Sequence, residues 1–125
     1  MRIMKLIGSR KMKPVKQMRV YISGPITGIK NFESNFAEAE KFLKSNGCAV
    51  INPARLNTVL PEGLGYQEYM KLDFALVDMA DALYMLPNWS SSKGARAECN
   101  YAEVLGKKII YPGTEGSFFV TGGKA

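Results

Sequence analysis

Short runs of β-branched and aromatic residues alternate along this chain with longer stretches in which apolar residues recur every three or four positions. Arg19-Val20-Tyr21-Ile22-Ser23 reads as a buried strand, stopped by Gly24-Pro25. From Asn31 to about Asn46 the apolar residues Phe32, Phe36, Ala39, Phe42 and Leu43 fall at helical spacing. Gly47 closes that helix, because glycine readily takes the left-handed cap conformation. Cys48-Ala49-Val50-Ile51 is a second strand, ended by Asn52-Pro53. Residues 54–65, with Pro61, Gly63 and Gly65, read as a long loop of the kind that serves as a binding element or lid. Helical spacing returns from Tyr66 to Ala80 through Tyr69, Leu72, Leu76 and Met79. Ala82 to Leu86 gives a third strand, followed by a Pro87-Asn88-Trp89 turn. Ser90 to Ser92 then cap a helix from Lys93 to about Leu105, which Gly106 ends. Lys107 to Tyr111 makes a fourth strand, and Ser117-Phe118-Phe119-Val120 is read as an edge strand.

This order predicts an α/β fold: a three-layer sandwich on a mainly parallel sheet of four or five strands, flavodoxin-like or Rossmann-like. Ligands of such folds sit beyond the C-terminal strand ends. The loop after Ser23, the loop after Ile51 and the turn after Leu86 are therefore expected on one rim.

Composition narrows the class. The 125 residues are 46% hydrophobic and 22% charged, with 12 Gly and 6 Pro scattered, so a single ordinary domain is expected rather than a disordered or repetitive chain. No apolar run approaches the roughly 18 residues of a membrane span. The formal charge of +6 suggests a polyanion partner, but seven of the 17 basic residues lie in the first nineteen positions, where no acid falls. Residues 1–17 thus read as a mobile basic arm or as translated sequence upstream of a later start at Met18, with contact to nucleic acid or another surface as the lesser reading, and residues 18–125 as the domain. Cys48 and Cys99 are far apart and no histidine accompanies them, which disfavours zinc and iron–sulfur sites and fits a reducing cytoplasm. No cofactor is expected. Without histidine, acid–base work near neutral pH falls to carboxylates, Tyr, Lys or Cys.

Three rim elements can carry chemistry. Tyr21-Ile22-Ser23-Gly24-Pro25-Ile26-Thr27-Gly28 places a glycine-rich loop after the first strand, open to two readings, a plain turn or a ligand cradle. It matches neither the dinucleotide fingerprint nor the Gly-Lys-Ser/Thr phosphate loop. Asp73, Asp78 and Asp81 form a carboxylate set on and after the middle helix; acids at a helix C-terminus meet an unfavourable dipole and so want a partner or a role. Ser90 to Glu98 opens a helix with hydroxyls and free N–H groups suited to an anion, and sets Glu98 about a turn beyond Gly94. On spacing alone Glu98 is equally a solvated, ion-paired glutamate.

The segments YISGPITG at 21–28, NPA at 52–54, Asp73 to Asp81 running into MADALYMLPNW, and SSKGARAE at 91–98 resemble a small family carried by phages and prophages. That family is related to nucleoside 2-deoxyribosyltransferases and to 2'-deoxynucleoside 5'-phosphate N-hydrolases, and the resemblance spans Met18 to Pro112. It implies that Glu98, in the G-x-x-x-E stretch, attacks the anomeric carbon of a deoxyribose. Tyr21 would hold that carboxylate, and Asp73, eight residues before the Ala80-Asp81 pair, would assist departure of the base. Gly24, Pro25, Thr27, Gly28, Asn52, Trp89, Ser92 and Gly94 would contact substrate. Ser92 resembles the hydrolases, whose serine at that position lies near phosphate. Pro25 and Thr27 stand where those enzymes use serine and arginine, and Thr27, Lys93 and Arg96 are open as substitutes.

The resemblance also implies a homodimer or higher homo-oligomer acting on a small deoxynucleoside or deoxynucleotide, with Trp89, Phe118 and Phe119 as exposed-looking aromatics. The competing readings are a non-catalytic nucleotide-binding or sensor protein of the same fold, and a nucleic-acid accessory protein working through the arm.

Overall fold

A computed structural model describes residues 17–124. Residues 1–16 and Ala125 lie outside the described residues, so the basic arm is represented only by Gln17, whose Nε2 donates to the Gly47 carbonyl at 3.1 Å. Four strands form one sheet: β1 (Arg19–Ser23), β2 (Ala49–Ile51), β3 (Ala82–Met85) and β4 (Lys108–Ile110). The helices are α1 (Phe32–Ser45), α2 (Pro53–Leu56), α3 (Tyr66–Met79), α4 (Lys93–Val104) and α5 (Glu115–Lys124), with a short 3-10 turn at Trp89–Ser91. The sheet order is β2-β1-β3-β4 and every pairing is parallel. This is the three-layer, flavodoxin- or Rossmann-like architecture expected from the alternating pattern.

Alternation along the central strands explains why both faces of the sheet must be covered. On β1 and β3, Val20, Ile22, Ala82 and Tyr84 face one side, where α1 packs through Phe36, Ala39 and Leu43. Tyr21, Leu83 and Met85 face the other, against Val77 of α3 and Ala95, Cys99 and Ala102 of α4. A strand buried on both faces reads as a continuous apolar run, as β1 and β3 do. Gly47 and Gly106 take left-handed backbone (φ +82° and +76°) immediately after α1 and α4, the cap role expected of them.

Two local expectations are corrected. Ser117 to Val120 is not an edge strand but part of α5. In a strand, neighbouring Phe118 and Phe119 would face opposite sides of the sheet. In the helix both rings join the α1-side core, 5.0 Å from one another, and Phe119 stands 5.7 Å from Phe42. Glu115 sets the turn into α5 by accepting the Gly113 N–H at 2.8 Å. The loop after β2, in turn, opens with the four-residue α2. Asn52 Oδ1 accepts the Ala54 N–H at 3.0 Å and Pro53 supplies a preset first torsion.

The acids around the end of α3 have structural partners. Asp81 Oδ2 accepts the Arg19 N–H at 2.8 Å, tying the start of β3 to the start of β1. Asp78 accepts from the Tyr101 hydroxyl at 2.7 Å, and its carbonyl accepts from Lys107 Nζ at 2.9 Å. Among the described residues no helix is long and apolar enough to cross a membrane.

β1 and β3 cross so closely at their C-terminal ends that a Cβ on Gly24 would stand 2.7 Å from Leu86 Cδ1 and 2.8 Å from Leu86 Cβ. Gly24→Ala is therefore expected to cost about 1–3 kcal/mol through overpacking, seen as a lower urea midpoint at unchanged m-value. Gly94→Ala, whose added Cβ meets Met70 Sδ at an ordinary 3.6 Å, is expected to stay within about 0.5 kcal/mol of the parent.

Candidate functional site

In the order β2-β1-β3-β4 the chain leaves β1 toward one edge and returns to fill the other, so a crevice opens between the loops after β1 and β3. A cavity of about 410 Å³ lies there, within the range of small-molecule sites. The loop after β1 contributes Gly24, Ile26 and Thr27, and α2 with the loop after it contributes Pro53, Asn57 and Leu64. From α3 come Tyr66, Tyr69, Met70 and Asp73; the start of α4 adds Ser92, Gly94, Ala95 and Glu98.

Glu98 is the centre of this arrangement. The residue is 5% exposed, on the face of α4 turned to the sheet. Tyr21 Oη donates to Oε2 at 3.0 Å and Ser23 Oγ donates to Oε1 at 2.7 Å. Both donors are fully buried in β1 and, two residues apart, they share a face. Asp73 joins from α3, lining the same cavity close enough to Glu98 and Tyr21 to act on their ionisation. Next to Asp73 on α3, Phe74 stacks on Tyr101 of α4 with ring centroids 4.5 Å apart, and Asp78 holds the Tyr101 hydroxyl. That double contact fixes α3 against α4 and so keeps the two carboxyls together.

Burial pushes Glu98 well above the ordinary carboxylate range, and the adjoining Asp73 adds to the rise; the hydrogen bonds from Ser23 and Tyr21 oppose it. Asp73 is also raised by burial, with Glu98 and Tyr21 pulling the other way. Tyr21 is raised by burial and then by the negative charge of Glu98 and Asp73, so the phenol keeps its proton. Two neighbouring carboxyls lining one cavity favour holding one proton between them, leaving one acid and one anion.

The sequence-predicted residues separate into three groups. Glu98, Asp73, Gly24, Thr27, Ser92 and Gly94 line the cavity. Tyr21 and Asn52 lie just behind it. Asn52 caps α2 and donates to Glu40 Oε1 at 2.9 Å, which also accepts from Arg55 Nε at 2.8 Å, and thereby seats Pro53 in the wall. These partners hold the Glu40 carboxyl down at about 2, the Arg55 hydrogen bond being the largest cause. Pro25, Gly28 and Trp89 do not line the cavity. Pro25 faces a groove on the α1 side, Gly28 takes a left-handed turn (φ +78°), and Trp89 packs 6.0 Å from the Tyr111 ring. Trp89, Phe118 and Phe119 are thus engaged within the protomer. Of the three substitutes weighed for a cationic clamp, Thr27 is in the wall. Lys93 lies 4.6 Å over the Tyr66 ring at its mouth, and Arg96 is tethered to the Ser90 carbonyl at 2.8 Å.

Sequence reasoning missed Ser23 and the aromatic and apolar wall from α3. The signal for Ser23 was present: strand period two puts it on the Tyr21 face. The α3 residues Tyr66, Tyr69, Met70 and Asp73 recur at helical spacing, and the same stripe that packs α3 also walls the cavity.

This is an α/β domain with a carboxylate pair at the topological switch point of its sheet. The chain belongs to the family described as a domain of unknown function, DUF4406, whose model matches residues 18–111. No curated protein matches the sequence.

A buried acid whose proton is held above the usual range destabilises the fold as pH rises. Below about 4.5, the ordinary value of a glutamate, folded and unfolded chains both carry the proton. Above it the unfolded chain ionises first and the folded state loses ground. Glu98→Gln is therefore expected to raise the thermal midpoint, by a margin that grows as pH climbs from 4.5 and levels once the folded carboxyl has ionised. Calorimetry across pH 4 to 9 measures this.

Proposed function

We propose that the domain cleaves or exchanges the N-glycosidic bond of a 2'-deoxynucleoside or its 5'-monophosphate. The observation that carries this reading is the meeting of Glu98 and Asp73, from two different helices, with Tyr21 at one 410 Å³ cavity. Rupture of a glycosidic bond builds positive charge on the sugar, which a buried carboxylate stabilises, and the departing base needs a proton.

In the proposed course, one Glu98 oxygen forms a bond to C1' as the C1'–N bond breaks and its electron pair goes to the base. Asp73 delivers the proton the base takes up. Water then attacks C1' of the glycosyl ester and gives its proton to the Asp73 carboxylate, releasing deoxyribose or its phosphate and regenerating both the Glu98 carboxylate and the Asp73 acid; a second base in place of water gives transfer. Tyr21 orients Glu98 throughout. The apolar and aromatic wall from α3 suits the flat face of a nucleobase. A homo-oligomer and a cytoplasmic setting belong to the same proposal and rest on the sequence resemblance and cysteine usage.

A screen of deoxynucleosides and their 5'-monophosphates, with and without an acceptor base, is expected to release free base from at least one substrate. Glu98→Ala should abolish release, and Asp73→Asn should slow it by roughly 10²- to 10⁴-fold, the usual worth of a general acid. Intact substrates throughout, with one still bound, would replace catalysis by a binding role.

A further inference from the structure

Ser23 ends β1, is 1% exposed, and places its hydroxyl 2.7 Å from Glu98 Oε1. The phenol of Tyr21 takes the other oxygen at 3.0 Å, so the two donors fix the carboxyl group at both corners. Both are neutral, and they orient the group without cancelling its charge. Asp73 lies beside Glu98 in the cavity wall, and the Tyr21 phenol is already committed to Glu98. The Ser23 hydroxyl is directed at Glu98, the more deeply buried of the two acids.

We propose that Ser23 is a positioning residue that holds the Glu98 carboxyl and favours its ionised form. Its consequence for turnover rests on the glycosidic reading above. A hydroxyl donated to a carboxylate favours the charged form, and the effect is strong where water is excluded. The hydroxyl thereby opposes the upward push of burial and of Asp73 on Glu98 and favours the carboxylate that attack requires. Without it Glu98 keeps a single hydroxyl donor, the Tyr21 phenol.

The surroundings isolate this effect. The titratable groups facing Glu98 are Tyr21 from β1 and Asp73 from α3, while the cations at the start of its own helix are turned to the Tyr66 ring and the Ser90 carbonyl. The Ser23 backbone is held without its side chain: its carbonyl accepts the Leu86 N–H at 2.9 Å and it pairs in register with Met85. Removing Oγ thus leaves the strand where it is.

The test uses the full-length chain as wild type, Ser23→Ala and Ser23→Thr. The carboxyl groups of Glu98 and Asp73 are followed by 13C NMR on selectively labelled protein as pH is varied. Loss of the hydroxyl is expected to move the Glu98 titration to higher pH and the Asp73 titration to lower pH, with Ser23→Thr returning both toward wild type. On any substrate the wild type cleaves, Ser23→Ala should lower kcat on the order of 10- to 100-fold, the scale of a hydrogen bond to a charged group, with little change in KM. The acidic limb of its rate profile should move upward in pH, in step with Glu98.

An unchanged Glu98 titration in Ser23→Ala overturns the assignment even if turnover falls, since a merely structural role would produce that result. Altered titrations in a chain that cleaves no deoxynucleoside leave the assignment standing and remove the glycosidic reading instead.

Discussion

A carboxyl group taken out of water must be given hydrogen bonds, and the placement of Glu98 is organised by that requirement. Two hydroxyls from alternate positions of β1 supply them. For this to work, α4 must lie directly across the central strands, which it does because its sheet-facing residues are small: Ala95, Cys99 and Ala102 pack on Leu83, Met85 and Tyr21. Ser92 fixes the start of the helix by accepting the Ala95 N–H at 3.1 Å, and so sets the height of Glu98 above the strand. Core packing, helix capping and the polar centre are one construction.

The acids from Asp73 to Asp81 show how similar side chains on one segment acquire different work. Asp81 ties the backbones at the closed end of the sheet, and Asp78 braces α3 on α4. Asp73, one and a half turns before Asp78, reaches the opposite end and enters the cavity. The unfavourable dipole at the end of α3 is met by real partners, a phenol and a lysine at Asp78 and a backbone N–H at Asp81.

Most of the layered fold was legible because the strands are buried on both faces and the helices on one, which imprints two distinct periods on the chain. α2 escaped notice although Asn52-Pro53 is a helix-start signal, because a four-residue helix has no period to show. The Phe118-Phe119 pair misled for a different reason: adjacent aromatics suit a strand by propensity, whereas packing onto Phe42 decides for a helix. At the site, spacing alone left Glu98 balanced between surface and function, and resemblance brought Tyr21 and Asp73 to it. The structure adds Ser23, whose polar side chain in an apolar run shows its purpose only once α4 is laid over it. Loop residues were the least legible. Pro25 and Thr27 are two positions apart yet open on opposite sides of the sheet, because the turn between them reverses the chain's outlook.

Among the described residues, none beyond Tyr111 lines the cavity around Glu98. α5 lies outside the matched span, on the far layer, clasped to Tyr84 by Glu115 and to Phe42 by its phenylalanines. The sheet stands between this appendage and the carboxyls like a bulkhead. Labels attached to the exposed side of α5 would redecorate the back of the molecule while its front stayed as built, whereas removing the helix would strip Phe118 and Phe119 from the core.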